Sequence, residues 1–278
     1  MERILFHLGP MPIYTFGVSI AMGVLAAFWL TGRETKRSNM DANTIDTLFI
    51  ILLLAGIVGA RIFYVLFYNP VFYWQHLFDI IRINEGGLSI HGGIIGAAVA
   101  GFWYTRRFKI PFWPVADLLA PVALLAQGIA RVGCDVYGRV MSKAWPWGIN
   151  LQGQIVHPVQ IYETILDLGL FIYLWGKRDR QKYSGQIFVY YLSGYAGIRF
   201  ILEFFRTNPV ILYNITPAHL TSVLFILLAV GMSLWLSRGE LLPETSQKMN
   251  RFWVSTKVWG IVVALAAICI AIFYISNG

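Results

Sequence analysis

Four charged groups stand where an apolar chain should not carry them. Arg61 follows Gly59-Ala60 inside one hydrophobic stretch, Arg131 closes another, and Arg199 and Glu203 lie inside a third. An arginine near the centre of a bilayer costs about 2.5–3.5 kcal/mol on insertion scales, so such residues face a cavity, a counter-ion or a ligand. Tyr195, Arg199, Glu203 and Arg206 are spaced by four, four and three residues, which aligns them on one helix face. An Arg199–Glu203 pair alone would be a structural ion pair. Yet Arg61, Arg131, Arg139, Arg199 and Arg206 outnumber the nearby carboxylates Asp135, Glu163 and Glu203, and the excess positive charge calls for an anion. A guanidinium grips phosphate through paired hydrogen bonds, and the commonest phosphate in a membrane is a phospholipid headgroup. The expected chemistry is capture of an anionic lipid in a cavity open to the outer leaflet.

Two histidines sit beside these charges in sequence. The run Asn84-Glu85-Gly86-Gly87-Leu88-Ser89-Ile90-His91-Gly92-Gly93 sets His91 among glycines at the start of another apolar stretch. Glycines allow unusual backbone angles and close approach of a neighbour, and a histidine titrates near neutral pH. A plain helix-capping histidine is the competing reading. His157 opens His157-Pro158-Val159-Gln160-Ile161-Tyr162-Glu163, where proline suits a first helical turn. His157, Gln160 and Glu163 recur every three residues and gather on one face, as support for the site more than as its reacting groups.

Membrane helices must position these groups. Of 278 residues, 57% are hydrophobic and 13% charged, the balance of an integral membrane protein. Stretches near 13–31, 46–67, 88–105, 114–130, 158–176, 185–204, 217–237 and 254–275 reach the roughly 20 apolar residues that span a bilayer. The fold class expected is all-α: a polytopic membrane helical bundle of seven core helices, an eighth at the C-terminus and a small extracytoplasmic head. Residues 1–238 form the membrane domain, 239–253 a cytoplasmic linker and 254–278 the additional helix. The first stretch lacks a cleavage signal and reads as a retained helix.

The net charge of +8 is spread over alternate short loops, which argues for topology and against a nucleic-acid partner. Arg33, Lys36 and Arg37, Arg106, Arg107 and Lys109, Lys177, Arg178, Arg180 and Lys182, and Arg238, Lys248 and Arg251 mark the cytoplasmic side. The N-terminus and the connections near 68–87, 131–157 and 205–216 then face outward. Aromatics there, including Tyr68, Trp74, Trp147 and Tyr213, suit a membrane interface. The two cysteines, Cys134 and Cys269, form neither a metal-ligand cluster nor an expected disulfide. No nucleotide motif or serine elbow is present, so no cofactor is expected.

Taken in order, Gly59-Ala60-Arg61 with Tyr64, Glu85 to Gly93, Asp117-Leu118-Leu119-Ala120-Pro121, Ala130-Arg131-Val132-Gly133, His157 to Glu163, and Gly194-Tyr195-Ala196-Gly197-Ile198-Arg199 leading to Glu203-Phe204-Phe205-Arg206 resemble the phosphatidylglycerol:prolipoprotein diacylglyceryl transferases over residues 5–237. The resemblance implies transfer of a diacylglyceryl group from phosphatidylglycerol to the lipobox cysteine of a prolipoprotein at the bacterial cytoplasmic membrane, with glycerol phosphate leaving. It implies proton-handling roles for His91 and Tyr195 and a phosphate-binding pair in Arg131 and Arg199. Arg206 and Arg61 join the headgroup set; Glu203, His157, Gln160, Glu163 and Gly138 support it. The partners are phosphatidylglycerol, the lipobox segment and membrane lipids.

The chain departs from the family after Arg131-Val132-Gly133. Cys134 stands at an asparagine position, and Asp135-Val136-Tyr137-Gly138-Arg139 follows about four residues early. Asp135 then takes the place of the family's catalytic carboxylate; aligned without a gap, Arg139 does. Two other readings remain beside the transferase: a non-catalytic paralogue that binds anionic lipid or lipoprotein, and a transporter whose intramembrane charges line a path.

Overall fold

A computed structural model describes residues 4–9, 11–83, 86–211, 215–239 and 253–277. Asn84 and Glu85 of the glycine–histidine run, Tyr213 and nearly all of the expected linker lie outside them. Each predicted span falls on a helix: α1 (Thr15–Arg37), α2 (Ala42–Phe67), α4 (Ile90–Arg107), α5 (Phe112–Ala130), α6 (Val159–Lys177), α7 (Gln186–Glu203), α8 (Pro217–Leu236) and α9 (Trp253–Asn277), with a short α3 (Pro70–Gln75) after α2. Among the described residues α1, α2, α5 with its following turn, and α8 are long and apolar enough to cross a membrane. In α6 and α7 the groups of interest, Gln160, Glu163, Asp167, Arg199 and Glu203, lower the apolarity.

The expectation of a purely α fold needs correcting, because two antiparallel hairpins are present. They are β1 (Ile4–Leu8) with β2 (Met11–Tyr14), and β3 (Ile149–Leu151) with β4 (Gln154–Val156). The second closes through Gln152 and Gly153, both at positive φ (53° and 85°), the backbone twist that two-residue hairpins favour. Ile149 pairs with Val156 and Leu151 with Gln154. Isolated bridges Val140↔Val156 and Gly138↔Arg206 add a short extended segment beside it.

The chain divides into two compact units. In residues 31–115, α2 and α4 pack backbone to backbone: a Cβ on Gly92 would collide with the Gly59 carbonyl, and one on Gly96 with that of Ala55. Small residues let two membrane helices approach this closely. In residues 1–30 with 116–278, Asp117 accepts from the backbone N–H of Gly185 (2.5 Å) and Phe188 (2.9 Å). It satisfies donors that the start of α7 would otherwise leave orphaned. Thr164 Oγ1 donates to the Gly128 carbonyl (3.0 Å), tying α6 to α5. Gly194 seats α7 against Leu170 of α6.

Candidate active site

At one end of this second unit the C-terminal ends of α5 and α7 meet the starts of α6 and α8. After α5 a single 3-10 turn, Arg131–Gly133, throws the Arg131 side chain toward α6, where Nη2 lies 2.8 Å from Glu163 Oε1. Arg206 Nη1 approaches the other oxygen of Glu163 at 3.7 Å, and its Nε is 3.8 Å from Glu203 Oε2. Arg199, one turn before Glu203 on α7, completes the cluster at 3.3 Å. The side chains of Glu163 and Glu203 are 2% and 0% exposed, those of Arg131 and Arg199 25% and 22%. The carboxylates are thus sealed, while Arg131 and Arg199 keep some exposure.

Both glutamates are held in place. Glu203 Oε1 accepts from Asn208 Nδ2 (2.6 Å) and Thr216 Oγ1 (2.7 Å), and Thr216 contacts His219 Nδ1 (3.1 Å). The Tyr195 hydroxyl donates to Glu163 Oε1 at 3.5 Å, a long contact. Gln160 Nε2 donates to the Cys134 carbonyl (3.0 Å), fastening the exit of the Arg131 turn, and the Cys134 thiol itself sits 3.3 Å from Arg131 Nη1. Arg199 Nη1 and Arg206 Nε are buried without a hydrogen-bond partner. Burial, and then the charges of Arg199 and Arg131, pull Arg206 below the ordinary guanidinium value. Unspent N–H groups in a positive field are what an oxyanion satisfies.

The predicted supporters are distributed more finely. His157 precedes α6; its ring contacts the Tyr162 hydroxyl (Nδ1 at 3.2 Å) and packs edge-on against Phe205, and burial lowers its pKa. Gly138 is wedged: a Cβ there would stand 2.5 Å from Val159 Cγ2 and 2.6 Å from the Phe205 carbonyl. Its N–H donates to the His157 carbonyl at 2.9 Å, while Arg139 Nε donates to the carbonyl of Arg206 (2.8 Å). Glycine at 138 lets two backbones bracket the segment that carries Arg206.

Two placements bear on the sequence reading. Arg131 pairs with Glu163, and Asp135, read as standing in for the family's catalytic carboxylate, lies outside that pair. With the Cys134 carbonyl held by Gln160, the chain turns away and Asp135 lines a 480 Å³ surface cavity with Val136, Tyr137, Val140 and Thr207. Asp135 makes no ion pair among the described residues. Arg61, expected among the headgroup ligands, has no donor left for one. In the unit of residues 31–115 its five N–H groups all go to backbone carbonyls, those of Ile80, Gly86, Gly87, Asp79 and Arg82. It holds the loop that leads to His91. Gly87 answers to it twice, with φ +74° and a Cβ position 2.5 Å from Arg61 Nη1. His91 lies exposed in the first turn of α4, its ring 6.4 Å from that of Phe63.

Asp167 was missed. It is wholly buried one turn beyond Glu163, with both oxygens unpartnered among the described residues. Its i, i+4 spacing from Glu163 inside an apolar stretch was the available signal.

The family model described as "Prolipoprotein diacylglyceryl transferase" matches residues 3–235. A phosphatidylglycerol--prolipoprotein diacylglyceryl transferase of Geobacillus kaustophilus (strain HTA426) is 35% identical over 254 residues, covering 86% of this chain and 93% of the relative. The protein of that name from Clostridioides difficile (strain 630) is 35% identical over 240 residues, 86% and 96% of the two chains. That of Bacillus cereus (strain B4264) is 32% identical over 244 residues, 83% and 90%. A match over most of its length, joined to a mostly helical build with several membrane-crossing helices, places this chain in the prolipoprotein diacylglyceryl transferase family.

Proposed function

We propose that the chain transfers the diacylglyceryl group of phosphatidylglycerol to the lipobox cysteine thiol of a prolipoprotein. The observation that carries this reading is the convergence of Arg131, Arg199 and Arg206 in front of two sealed glutamates, with guanidinium N–H groups to spare. The sulfur attacks the glycerol carbon, an S–C bond forms, and the C–O bond to phosphate breaks. The electron pair stays on the phosphate oxygen, where the arginines stabilise the growing charge. A thiol with a pKa near 8.5 must first lose its proton; His91 and Tyr195 are the groups assigned to move it. The nucleophile comes from the substrate, so no cysteine of this chain is required for it. Glu163 and Glu203 orient the arginines, and Gln160, His157 and Gly138 hold the backbone behind them.

Asp135, at the rim of the neighbouring cavity, is assigned to the approach of the second substrate. The chain is read as a multi-pass protein of the bacterial cytoplasmic membrane with seven family helices plus α9. The N-terminus and the β3–β4 region lie outside, because Lys177, Arg178, Lys182 and Arg238 collect at the opposite ends of α6, α7 and α8. A second reading, a non-catalytic lipid- or lipoprotein-binding paralogue, draws on the position of Asp135 outside the ion-pair cluster.

The deciding experiment is transfer of labelled glycerol from phosphatidylglycerol to lipobox peptides by purified protein, beside Arg131→Ala, His91→Ala and Asp135→Ala. Transfer by the parent chain that is lost in Arg131→Ala and His91→Ala supports the enzyme. A folded parent chain inactive on several peptides leaves the paralogue.

A further inference from the structure

We propose that α9, which lies beyond the residues matched by the family model, positions the headgroup-binding arginine. The inference rests on the reading of Arg131 given above. The turn Arg131–Gly133 is gripped from two sides. On one, Gly133 is pressed onto the start of α1: a Cβ there would stand 2.6 Å from Ser19 Oγ and 2.7 Å from the Thr15 carbonyl. On the other, Val132 is buried in an apolar cluster with Cys269 and Phe273 of α9, Ile161 of α6, and Ile149 and Val156 of the β3–β4 hairpin.

Phe273, 1% exposed, is among the largest fully buried side chains of the described residues. The Tyr274 hydroxyl donates to the Trp147 carbonyl at 2.6 Å, fastening the end of α9 to the loop that enters β3. A helix that merely anchored a terminus in lipid would expose apolar side chains all round. Here Val262, Cys269 and Phe273 recur at seven and four residues and are all buried, so α9 has an inner face. That face is packed on α6 and on the 3-10 turn, the two elements that supply Glu163 and Arg131. A three-residue turn has little of its own to fix it. Displacement of a binding group by about 1 Å can cost up to about a hundredfold in rate, so the packing of α9 on the turn, through the cluster that holds Val132 and Phe273, sets how well Arg131 meets a phosphate.

The test is steady-state transfer by the full-length protein in phospholipid nanodiscs. Phe273→Ala should raise KM for phosphatidylglycerol about tenfold while kcat stays within about twofold. Phe273→Leu should recover most of the loss, and Tyr274→Phe should shift KM the same way by less. KM for the lipobox peptide should not move. A folded Phe273→Ala protein with unchanged KM for the lipid overturns the proposal; if that variant does not fold, unchanged KM in Tyr274→Phe does so. If the parent chain transfers nothing, the proposed function fails separately, and α9 is judged by phosphatidylglycerol binding counted by native mass spectrometry. Weaker binding in Phe273→Ala than in the parent supports the inference, and equal binding overturns it.

Discussion

Arg199 shows how a buried ion pair can serve a ligand. Its Nη2 is committed to Glu203 while Nη1 has no partner, so one half of the guanidinium is fixed and the other is free to bind. Arg199→Ala is expected to lower transfer from phosphatidylglycerol by about a hundredfold or more, the usual loss when one preorganised donor to a developing oxyanion is removed. Single-turnover kinetics would measure it, and a loss under fivefold would remove Arg199 from the headgroup set. Gly138 illustrates the opposite case, a residue that matters for what it lacks. Gly138→Ala drives a methyl into Val159 and the Phe205 carbonyl. Such overpacking costs about 1–3 kcal/mol, so melting followed by tryptophan fluorescence in detergent should shift down by several degrees. The Tyr195–Arg199–Glu203 face was legible in the sequence because helical spacing alone aligns it, whereas Arg206 lies past the end of α7, bridged to Gly138. The Glu163–Arg131 pair was not legible, because it joins two elements 32 residues apart.

Between residues and domains, the elements carry their own predictions. The loop before α4 hangs on Arg61, whose acceptors lie 18 to 26 residues away; no reading of neighbours in sequence could have found them, which is why Arg61 looked like a phosphate ligand. A lysine offers three donors on a flexible stem instead of a planar fork. Arg61→Lys should therefore speed hydrogen exchange across residues 77–88 and leave α6 and α7 untouched; unchanged protection of that loop would contradict the role. At the start of α6, burial places the folded-state pKa of His157 below its ordinary value of 6.5. Stability from the neutral ring is then fully present above pH 6.5 and is lost as pH falls through the lower folded-state value. The melting temperature should drop between pH 7.5 and pH 5.5 more in the parent chain than in His157→Gln. Equal drops would exclude His157 as the source. Helices lie where the apolar stretches predicted them, four of them among the described residues long and apolar enough to cross a membrane, but the short hairpins were not legible, since strands of three to five residues leave too little alternation to read.

At the scale of the molecule, the site and the C-terminal end of α9 lie together, so both belong on one side of the membrane. A cysteine at Ile275, 82% exposed, should react with an impermeant maleimide in intact cells above the background of Cys134 and Cys269, while one at Arg238 should react only after permeabilisation. The reverse pattern would invert the topology. The sealed glutamates carry a last consequence. Glu163 and Glu203 already neutralise part of the arginines' charge, so a bound phosphate shares its cations with two internal anions. The grip on the headgroup is moderated accordingly, and a product bearing the same phosphate meets the same rivals. The carboxylates cap affinity from behind and keep the exit as open as the entrance, which suits a site whose donor lipid surrounds it at high concentration.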